Sequence, residues 1–142
     1  MVTCIVDTSV LIKWFHAEGE TELEAARALY QAHERGSSTS AILDLAIYEI
    51  GNFLGRRAAL TDAAVAGVLA DVIAICGTPV TLDADARHDA IAIMRAHGVS
   101  FYDASWAAAA RALDVPLVSA DQQLLTTGLA ESVTTHVERY LT

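Results

Sequence analysis

Four acidic residues lie where a carboxylate could take part in chemistry. Asp7 and Asp121 each come just after a short apolar run, Asp103 precedes an alanine-rich segment, and Glu49 lies among apolar residues. Carboxylates gathered in one place repel each other unless a cation is present, and hard divalent cations take oxygen ligands. If the fold brings the four together, they indicate metal-assisted phosphoryl chemistry.

Each of these residues also has a simpler structural explanation. The three aspartates could cap helices by accepting hydrogen bonds from backbone N–H groups. Glu49 could pair with Asn52 or Arg56, which share its face of a helix. These explanations stay open for each residue alone. They are weakened jointly, because several separate elements would each bring a carboxylate to the same rim of one sheet.

The elements that position these residues alternate between strand and helix. Strands are predicted at 2–6, 40–43 and 117–119, with weaker signals at 80–82 and 132–137; helices are predicted at 10–15, 20–35, 44–57, 62–76, 83 or 85 to 97, and 102–113, with a short turn or helix after Asp121. This order favours a three-layer α/β/α sandwich with a central, mostly parallel sheet, in one domain spanning 1–142. Such sheets bind ligands beyond the carboxyl ends of their strands.

Composition restricts the class of function. The net charge is −9 and Lys13 is the only lysine, which argues against a passive nucleic-acid binder that depends on basic side chains. A nuclease whose acidic cleft is bridged to phosphate by a divalent metal stays compatible with this charge. Hydrophobic residues make up 54% of the chain, and this surplus predicts apolar surface that meets a second copy.

The chain has the features of a cytoplasmic protein. Its two cysteines, Cys4 and Cys76, lie in apolar runs with no metal-binding spacing, which fits a reducing compartment. The N-terminal segment lacks the pattern of a signal peptide. The longest apolar stretch, residues 63–76, is interrupted by Asp71 and is too short to span a membrane.

Four segments in order resemble the motifs of PIN domains, specifically the VapC-type toxins: Ile5-Val6-Asp7-Thr8-Ser9-Val10-Leu11, Tyr48-Glu49-Ile50-Gly51-Asn52, Tyr102-Asp103-Ala104-Ser105 and Val118-Ser119-Ala120-Asp121. The resemblance covers essentially the whole chain. It implies a Rossmann-like fold and an endoribonuclease dependent on Mg²⁺ or Mn²⁺, in which metal-activated water attacks RNA and leaves a 5′-phosphate and a 3′-hydroxyl. It also implies a VapB-type antitoxin as partner, a class that commonly places an arginine in the acidic site.

The resemblance assigns a role to each matching position. The acidic quartet would bind metal as catalytic residues, and small polar residues would orient it; these are Asp7, Glu49, Asp103 and Asp121, with Thr8, Ser9, Asn52 and Ser119 around them. Arg56, at the end of the Glu49 helix, and Lys13, one to two turns beyond Asp7, are possible RNA contacts. Gln122 and Gln123 stand where the family often has a basic residue, and 40–45 lacks the frequent proline.

Three other classes compete with this interpretation. A phosphatase of the haloacid-dehalogenase type needs a second aspartate two residues after the first, where this chain has Ser9, and a lysine deep in the chain, which is missing. A phospho-receiver domain fails on the same lysine. A catalytically silent PIN-fold module that binds RNA or protein stays open, although the complete quartet argues against it.

Overall fold

A four-stranded parallel sheet forms the centre of the protein, whose computed structural model describes residues 1–141. The strand order is β2-β1-β3-β4, with β1 at Cys4–Val6, β2 at Ser40–Ala41, β3 at Leu117–Ser119 and β4 at Glu131–Ser132. All neighbouring strands pair in parallel, and β1 is central, with Ile5 in register with Ala41 on one side and Leu117 on the other. The described sheet is therefore wholly parallel, which confirms and sharpens the predicted mostly parallel sheet.

Helices connect and cover the strands, giving the predicted three-layer α/β/α sandwich. In chain order they are α1 (Thr8–Phe15), α2 (Leu23–Arg35), α3 (Leu45–Gly55), α4 (Asp62–Cys76), α5 (Ala84–His97), α6 (Phe101–Leu113), α7 (Gln122–Thr126) and α8 (Val133–Tyr140). The most extensive contact between two helices is that of α5 with α6. Three other pairs also pack together: α1 with α2, α3 with α4, and α2 with α8. Covering helices explain why every residue of β1 and β3 is buried and why all of them except Ser119 are apolar.

Helix α6 packs directly on the sheet because most of its side chains are small. Residues 104–110 are all buried, five of them are alanines, and the helix contacts both β1 and β3. Alanine also has the highest helix propensity, so the same residues favour the helix and permit close approach. Trp106 is the one large side chain in this stretch and is 2% exposed. Helix α6 is thus fixed against the two strands whose ends carry aspartates.

The starts of α4 and α5 agree with the sequence, whereas α2 begins at Leu23 and not at Glu20, and α6 differs at a functional position. Thr61 and Asp83 cap α4 and α5 through their side chains, as expected from their residue types. Helix α6 begins at Phe101 and is capped by Ser100, whose Oγ accepts from the Asp103 backbone N–H at 3.0 Å. Asp103 therefore lies inside the first turn and does not cap the helix, which leaves its carboxylate available for another purpose.

The predicted strand at 132–137 is wrong. Only Glu131–Ser132 pairs with β3, and α8 begins at Val133. Ser132 caps that helix by accepting from the Thr135 N–H at 3.1 Å, and Val133 and His136 are buried three residues apart, which is a helical spacing. The weak strand signal at 80–82 corresponds to a single bridge between Leu43 and Val80.

Both cysteines are unpaired, as predicted. Cys4 is buried in β1 and Cys76 is half-buried at the end of α4. Burial raises the pKa of each thiol to about 11, so both remain protonated and poorly reactive at neutral pH. In residues 1–141, none of the helices has the length and apolar character needed to cross a bilayer.

Candidate active site

One cavity, at the carboxyl ends of β1 and β3, collects all four of the predicted acidic residues. Its volume is about 290 Å³, and its walls come from α1, α3, α6 and the segment after β3: Asp7, Thr8, Ser9, Ile12, Glu49, Asn52, Phe53, Asp103, Trp106 and Asp121. No lysine, arginine or histidine of the described chain is in this lining. The parallel sheet produces this convergence because its strands all end at the same edge.

Asp7 is held by two serine hydroxyls. Ser9 Oγ donates to one carboxylate oxygen and Ser119 Oγ to the other, each at 2.5 Å. Ser9 Oγ accepts from the Ala120 N–H at 2.8 Å, and Ser119 Oγ accepts from the Asp121 N–H at 2.9 Å. Asp7 occupies the cap position of α1, yet its side chain makes no capping hydrogen bond. The serines thus fix Asp7 for a purpose other than helix capping.

The charge of Asp7 is unfavourable in this environment. Its side chain is almost fully buried, and burial raises the pKa of the carboxyl from 3.8 to about 6. The two serine hydroxyls oppose this rise by stabilising the anion, while the neighbouring Asp121 charge adds to it. A bound cation would remove the penalty, since an opposite charge favours the ionised form.

Glu49 is oriented by two donors from different elements. Thr8 Oγ1 donates to Glu49 Oε1 at 2.9 Å, and the Trp106 indole Nε1–H donates to the same oxygen at 3.3 Å. Within residues 1–141, no hydrogen bond engages the second oxygen, Oε2. The alternative pairing of Glu49 with Arg56 or Asn52 is not what the structure shows, because Arg56 Nε donates to Asn52 Oδ1 at 3.0 Å.

Asp121 and Asp103 differ in how their oxygens are used. Asp121 caps α7, with Oδ1 accepting from the N–H groups of Gln123 at 2.8 Å and Leu124 at 3.3 Å. Across the described residues, Asp121 Oδ2 and both oxygens of Asp103 accept no hydrogen bond. Burial raises the pKa of Asp103, and the charges of Asp121 and Glu49 raise it further. These carboxylates are therefore close enough to repel one another.

The donor chemistry of this cavity fits a hard divalent cation. Its charged groups are all carboxylates, several of their oxygens are unused, and two of the carboxyl pKa values are raised by burial and neighbouring charge. Among residues 1–141, however, no three His, Cys, Asp or Glu side chains converge closely enough to hold one ion by themselves. Mg²⁺ commonly uses one or two carboxylates with waters and substrate phosphate, so this spacing suits Mg²⁺ better than a closed metal cage.

The other predicted residues separate into two groups. Thr8, Ser9 and Asn52 line the cavity, and Ser119 reaches it through its bond to Asp7. Lys13 does not. Its side chain is 4% exposed and pairs with Glu20 at 3.1 Å. It also donates to the Thr21 carbonyl at 2.7 Å, so it ties α1 to the following loop and is withdrawn as an RNA contact.

Three lining residues were missed by the sequence analysis. Ile12, Phe53 and Trp106 supply the apolar part of the wall. Trp106 lies three residues after Asp103 and Phe53 lies four after Glu49, so each shares a helix face with a predicted carboxylate. That spacing could have indicated them. Apolar residues at helical intervals are usually core, however, and nothing in the sequence separates the two cases.

Comparison with known proteins agrees with this geometry. The PIN domain family matches residues 4–128, and the chain belongs to that family. The match includes all four carboxylates and the two strands that Asp7 and Asp121 follow. The chain is thus a PIN-domain protein of the VapC type, and its three-layer fold is that of the family.

Two relatives come from the same organism. The chain is 32% identical over 124 residues to Ribonuclease VapC3 of Pyrobaculum aerophilum, covering 84% of this chain and 90% of that protein. It also resembles the crystal structure of PAE2754 from Pyrobaculum aerophilum, with a TM-score of 0.70, 27% identity and coverage of 98% of this chain and 96% of the other. The likeness therefore extends over nearly the full length, beyond the four motifs.

Proposed function

We propose that this chain is a divalent-metal-dependent endoribonuclease that hydrolyses RNA phosphodiester bonds as the toxin of a toxin–antitoxin pair. The observation that carries the proposal is the single cavity lined by Asp7, Glu49, Asp103 and Asp121. Membership of the PIN domain family and similarity to Ribonuclease VapC3 support it. We take residues 1–142 as one domain and the cytoplasm as its location.

In this proposal the four carboxylates would hold Mg²⁺ or Mn²⁺ together with waters and substrate phosphate. When bound, the ion supplies Lewis-acid stabilisation of the phosphate charge and lowers the pKa of the attacking water. Ser9 and Ser119 keep Asp7 ionised and oriented, while Thr8 and Trp106 fix Glu49. Such orienting partners commonly change metal affinity or activity by 10–100-fold.

Two further wall residues suit a phosphodiester substrate. Asn52 Oδ1 accepts from Arg56, which leaves the amide NH₂ to donate to a phosphate oxygen. The Phe53 ring contributes an apolar surface at the same wall.

The proposal is tested by incubating purified protein with a mixed tRNA and rRNA pool in Mg²⁺ or Mn²⁺. We expect cleavage by the wild type, and loss of cleavage in EDTA and in the Asp103→Asn variant. Asp114→Asn is the matched control, because Asp114 is an exposed carboxylate at the opposite end of α6. Cleavage that persists in EDTA would contradict metal dependence, and a wild type inactive with either metal would favour the catalytically silent module.

We also propose a homodimer. Helix α4 has an almost entirely apolar sequence, yet Val72 is its one buried residue and Ile73 is 45% exposed. Exposed apolar surface of this kind is typical of interfaces. Sedimentation equilibrium should give a dimer that Ile73→Glu weakens. A wild type that stays monomeric at micromolar concentration would contradict the dimer.

A VapB-type antitoxin is the remaining proposed partner. A cavity with four carboxylates and no basic lining residue is complementary to a guanidinium, which forms bidentate bonds to carboxylates. Expression of the wild type should arrest growth, and co-expression of its antitoxin should relieve the arrest. Asp103→Asn should not arrest growth, and equal toxicity of both proteins would contradict toxicity through RNA cleavage.

A further inference from the structure

A second cavity lies beside the acidic one, and the Phe53 side chain connects their walls. This flanking cavity has a volume of about 420 Å³ and is lined by His16, Glu18, Gly19, Arg57, Ala59 and Leu60. Its size falls within the range of ligand-binding clefts. Phe53 lines the acidic cavity. The Phe53 ring also contacts His16, edge-on at 5.7 Å between ring centroids, and Arg57, at 3.7 Å from the guanidinium carbon to the ring centroid.

Arg57 is held in place without a carboxylate partner. Its Nη1 donates to the Phe53 carbonyl oxygen at 2.8 Å, and its guanidinium lies over the Phe53 ring. Within residues 1–141, the acid–base pairs within ion-pair distance involve Lys13, Arg111, His136 and Arg139, and Arg57 is not among them. A guanidinium has five N–H donors, so Arg57 keeps donors for a further anion.

An RNA strand that enters the acidic cavity needs cationic contacts outside it. Each nucleotide carries one negative charge, and phosphate contacts supply much of nucleic-acid affinity. The acidic cavity contributes no basic side chain, and the two residues after Asp121 are the neutral Gln122 and Gln123. Arg57 and His16 provide basic and aromatic groups next to this cavity, on the other side of Phe53.

We propose that the flanking cavity binds the nucleotide next to the cleaved phosphodiester bond. Arg57 bonds its phosphate, and the His16 ring, which lines the cavity, receives its base, as aromatic side chains do in single-strand binding. This inference rests on the proposed ribonuclease function and adds a substrate subsite to it. Glu18 lines the same cavity and repels phosphate, so it weakens binding there.

The subsite is tested by the fluorescence anisotropy of a labelled, mixed-sequence, single-stranded RNA, with Ca²⁺ in place of Mg²⁺ to slow hydrolysis. We expect Arg57→Gln to weaken binding about tenfold, the loss expected for a charged hydrogen bond. The slope of log affinity against log salt should fall by about 0.7, as for one lost phosphate contact. Glu18→Gln should change affinity in the opposite direction and strengthen binding.

Two further variants separate RNA contact from a structural effect. Arg95→Gln removes the same charge from an exposed position in the last turn of α5 and should leave affinity unchanged. Arg57 also satisfies a carbonyl at the end of α3, so each variant's thermal unfolding is measured. Arg57→Lys keeps the charge and should lose less affinity than Arg57→Gln.

Cleavage kinetics separate failure of the subsite from failure of the nuclease. With Mg²⁺, Arg57→Gln should raise KM about tenfold at nearly constant kcat, the pattern of lost uniform binding. Equal affinities of Arg57→Gln and Arg95→Gln, in a wild type that cleaves RNA, would overturn the subsite alone. A wild type that neither binds nor cleaves RNA would overturn both the subsite and the proposed function.

Discussion

The two sides of the acidic cavity hold their carboxylates in different ways. On the strand side, Asp7 and Asp121 follow β1 and β3 and are joined through Ser119, which donates to one and accepts from the backbone of the other. On the helix side, Glu49 receives two hydrogen bonds on a single oxygen. Asp103 is also on the helix side, and its carboxylate receives no hydrogen bond from the described residues.

This difference indicates how the cavity could accept a metal and a substrate. The strand side is built before any ligand arrives, because the oxygens of Asp7 already have partners in buried surroundings. The helix side presents unused oxygens on a half-buried carboxylate, which can adjust its position with little loss of hydrogen bonding. Such an adjustable side also agrees with the lack of three converged acidic side chains in residues 1–141.

The largest expected effect comes from lengthening a carboxylate on each side. Asp7→Glu should lower kcat/KM by roughly a thousandfold or more, because the several kcal/mol that a metal would supply in the proposed function require correct placement, and Asp7 has no room to shift. Asp103→Glu should lose only about tenfold, since its side chain can move. Initial rates on one RNA substrate in Mg²⁺ measure both. Equal losses would contradict the distinction between a fixed and an adjustable side.

Removing the Asp7 charge should stabilise the metal-free protein. The folded-state pKa of about 6 lies above the ordinary value of 3.8, so the folded state binds more protons between these values. The stabilising contribution of protonated Asp7 is complete below about pH 4 and is lost as pH rises through 6. At pH 7.5 in EDTA, Asp7→Asn should therefore raise the free energy of unfolding by up to about 3 kcal/mol.

Urea unfolding at pH 7.5 and at pH 4 measures this difference, which should nearly vanish at the lower pH. Asp103→Asn is the control from the helix side, and its effect should be smaller because Asp103 is more exposed than Asp7. Destabilisation by Asp7→Asn at pH 7.5 would show that the serine hydrogen bonds outweigh burial.

Removing one orienting donor from each side should give intermediate effects on cleavage. Ser119→Ala should lower kcat/KM by 10–100-fold, the range typical of groups that orient metal ligands. Trp106→Phe keeps an aromatic ring at this position, although a smaller one, and removes the weaker 3.3 Å bond. It leaves Thr8 on the same Glu49 oxygen, so a loss of roughly threefold to tenfold is expected. A larger loss for Trp106→Phe than for Ser119→Ala would contradict the expectation that cleavage depends more on the orienting donor of the strand side.

The smallest effect on cleavage is expected at Lys13, which lies outside both sides of the cavity. Lys13→Gln should leave kcat/KM within about twofold of the wild type, because the ammonium is buried against Glu20. The same variant should lower the thermal midpoint, since it leaves a mostly buried carboxylate without its partner. Weaker RNA binding by the folded variant would support the initial hypothesis that Lys13 contacts RNA.

Strand positions and caps were predictable where one local signal was decisive. Residues 117–119 form a strand as predicted, because a short apolar run between turn residues has few alternatives. At 132–137 the β-branched residues favoured a strand, whereas burial of Val133 and His136 against the rest of the fold produced a helix. That choice depends on tertiary packing, which local propensity does not contain.

Within the cavity, sequence position identified the carboxylates better than their partners. Asp7 and Asp121 were recognisable because they follow strands, and parallel strands end at one edge. The indole bond from Trp106 to Glu49 joins residues 57 positions apart, so no local pattern contains it. Lys13 was predicted as a possible RNA contact because it is a lone cation near an acidic site. Its burial against Glu20 depends on the fold and is not visible in the sequence.

The bond from Ser119 to Asp7 also has a consequence for biosynthesis. It links residues 112 positions apart, and the neighbouring strands β1 and β3 are equally distant in the chain. Contacts of such separation form late, because the entropy of closing a long loop opposes them until much of the fold is present. A chain emerging from the ribosome therefore lacks the complete cavity until β3 and Asp121 have been synthesised. An interrupted product that ends before β3 would carry Asp7, Glu49 and Asp103 but would lack Ser119 and Asp121, so it could not form the complete cavity.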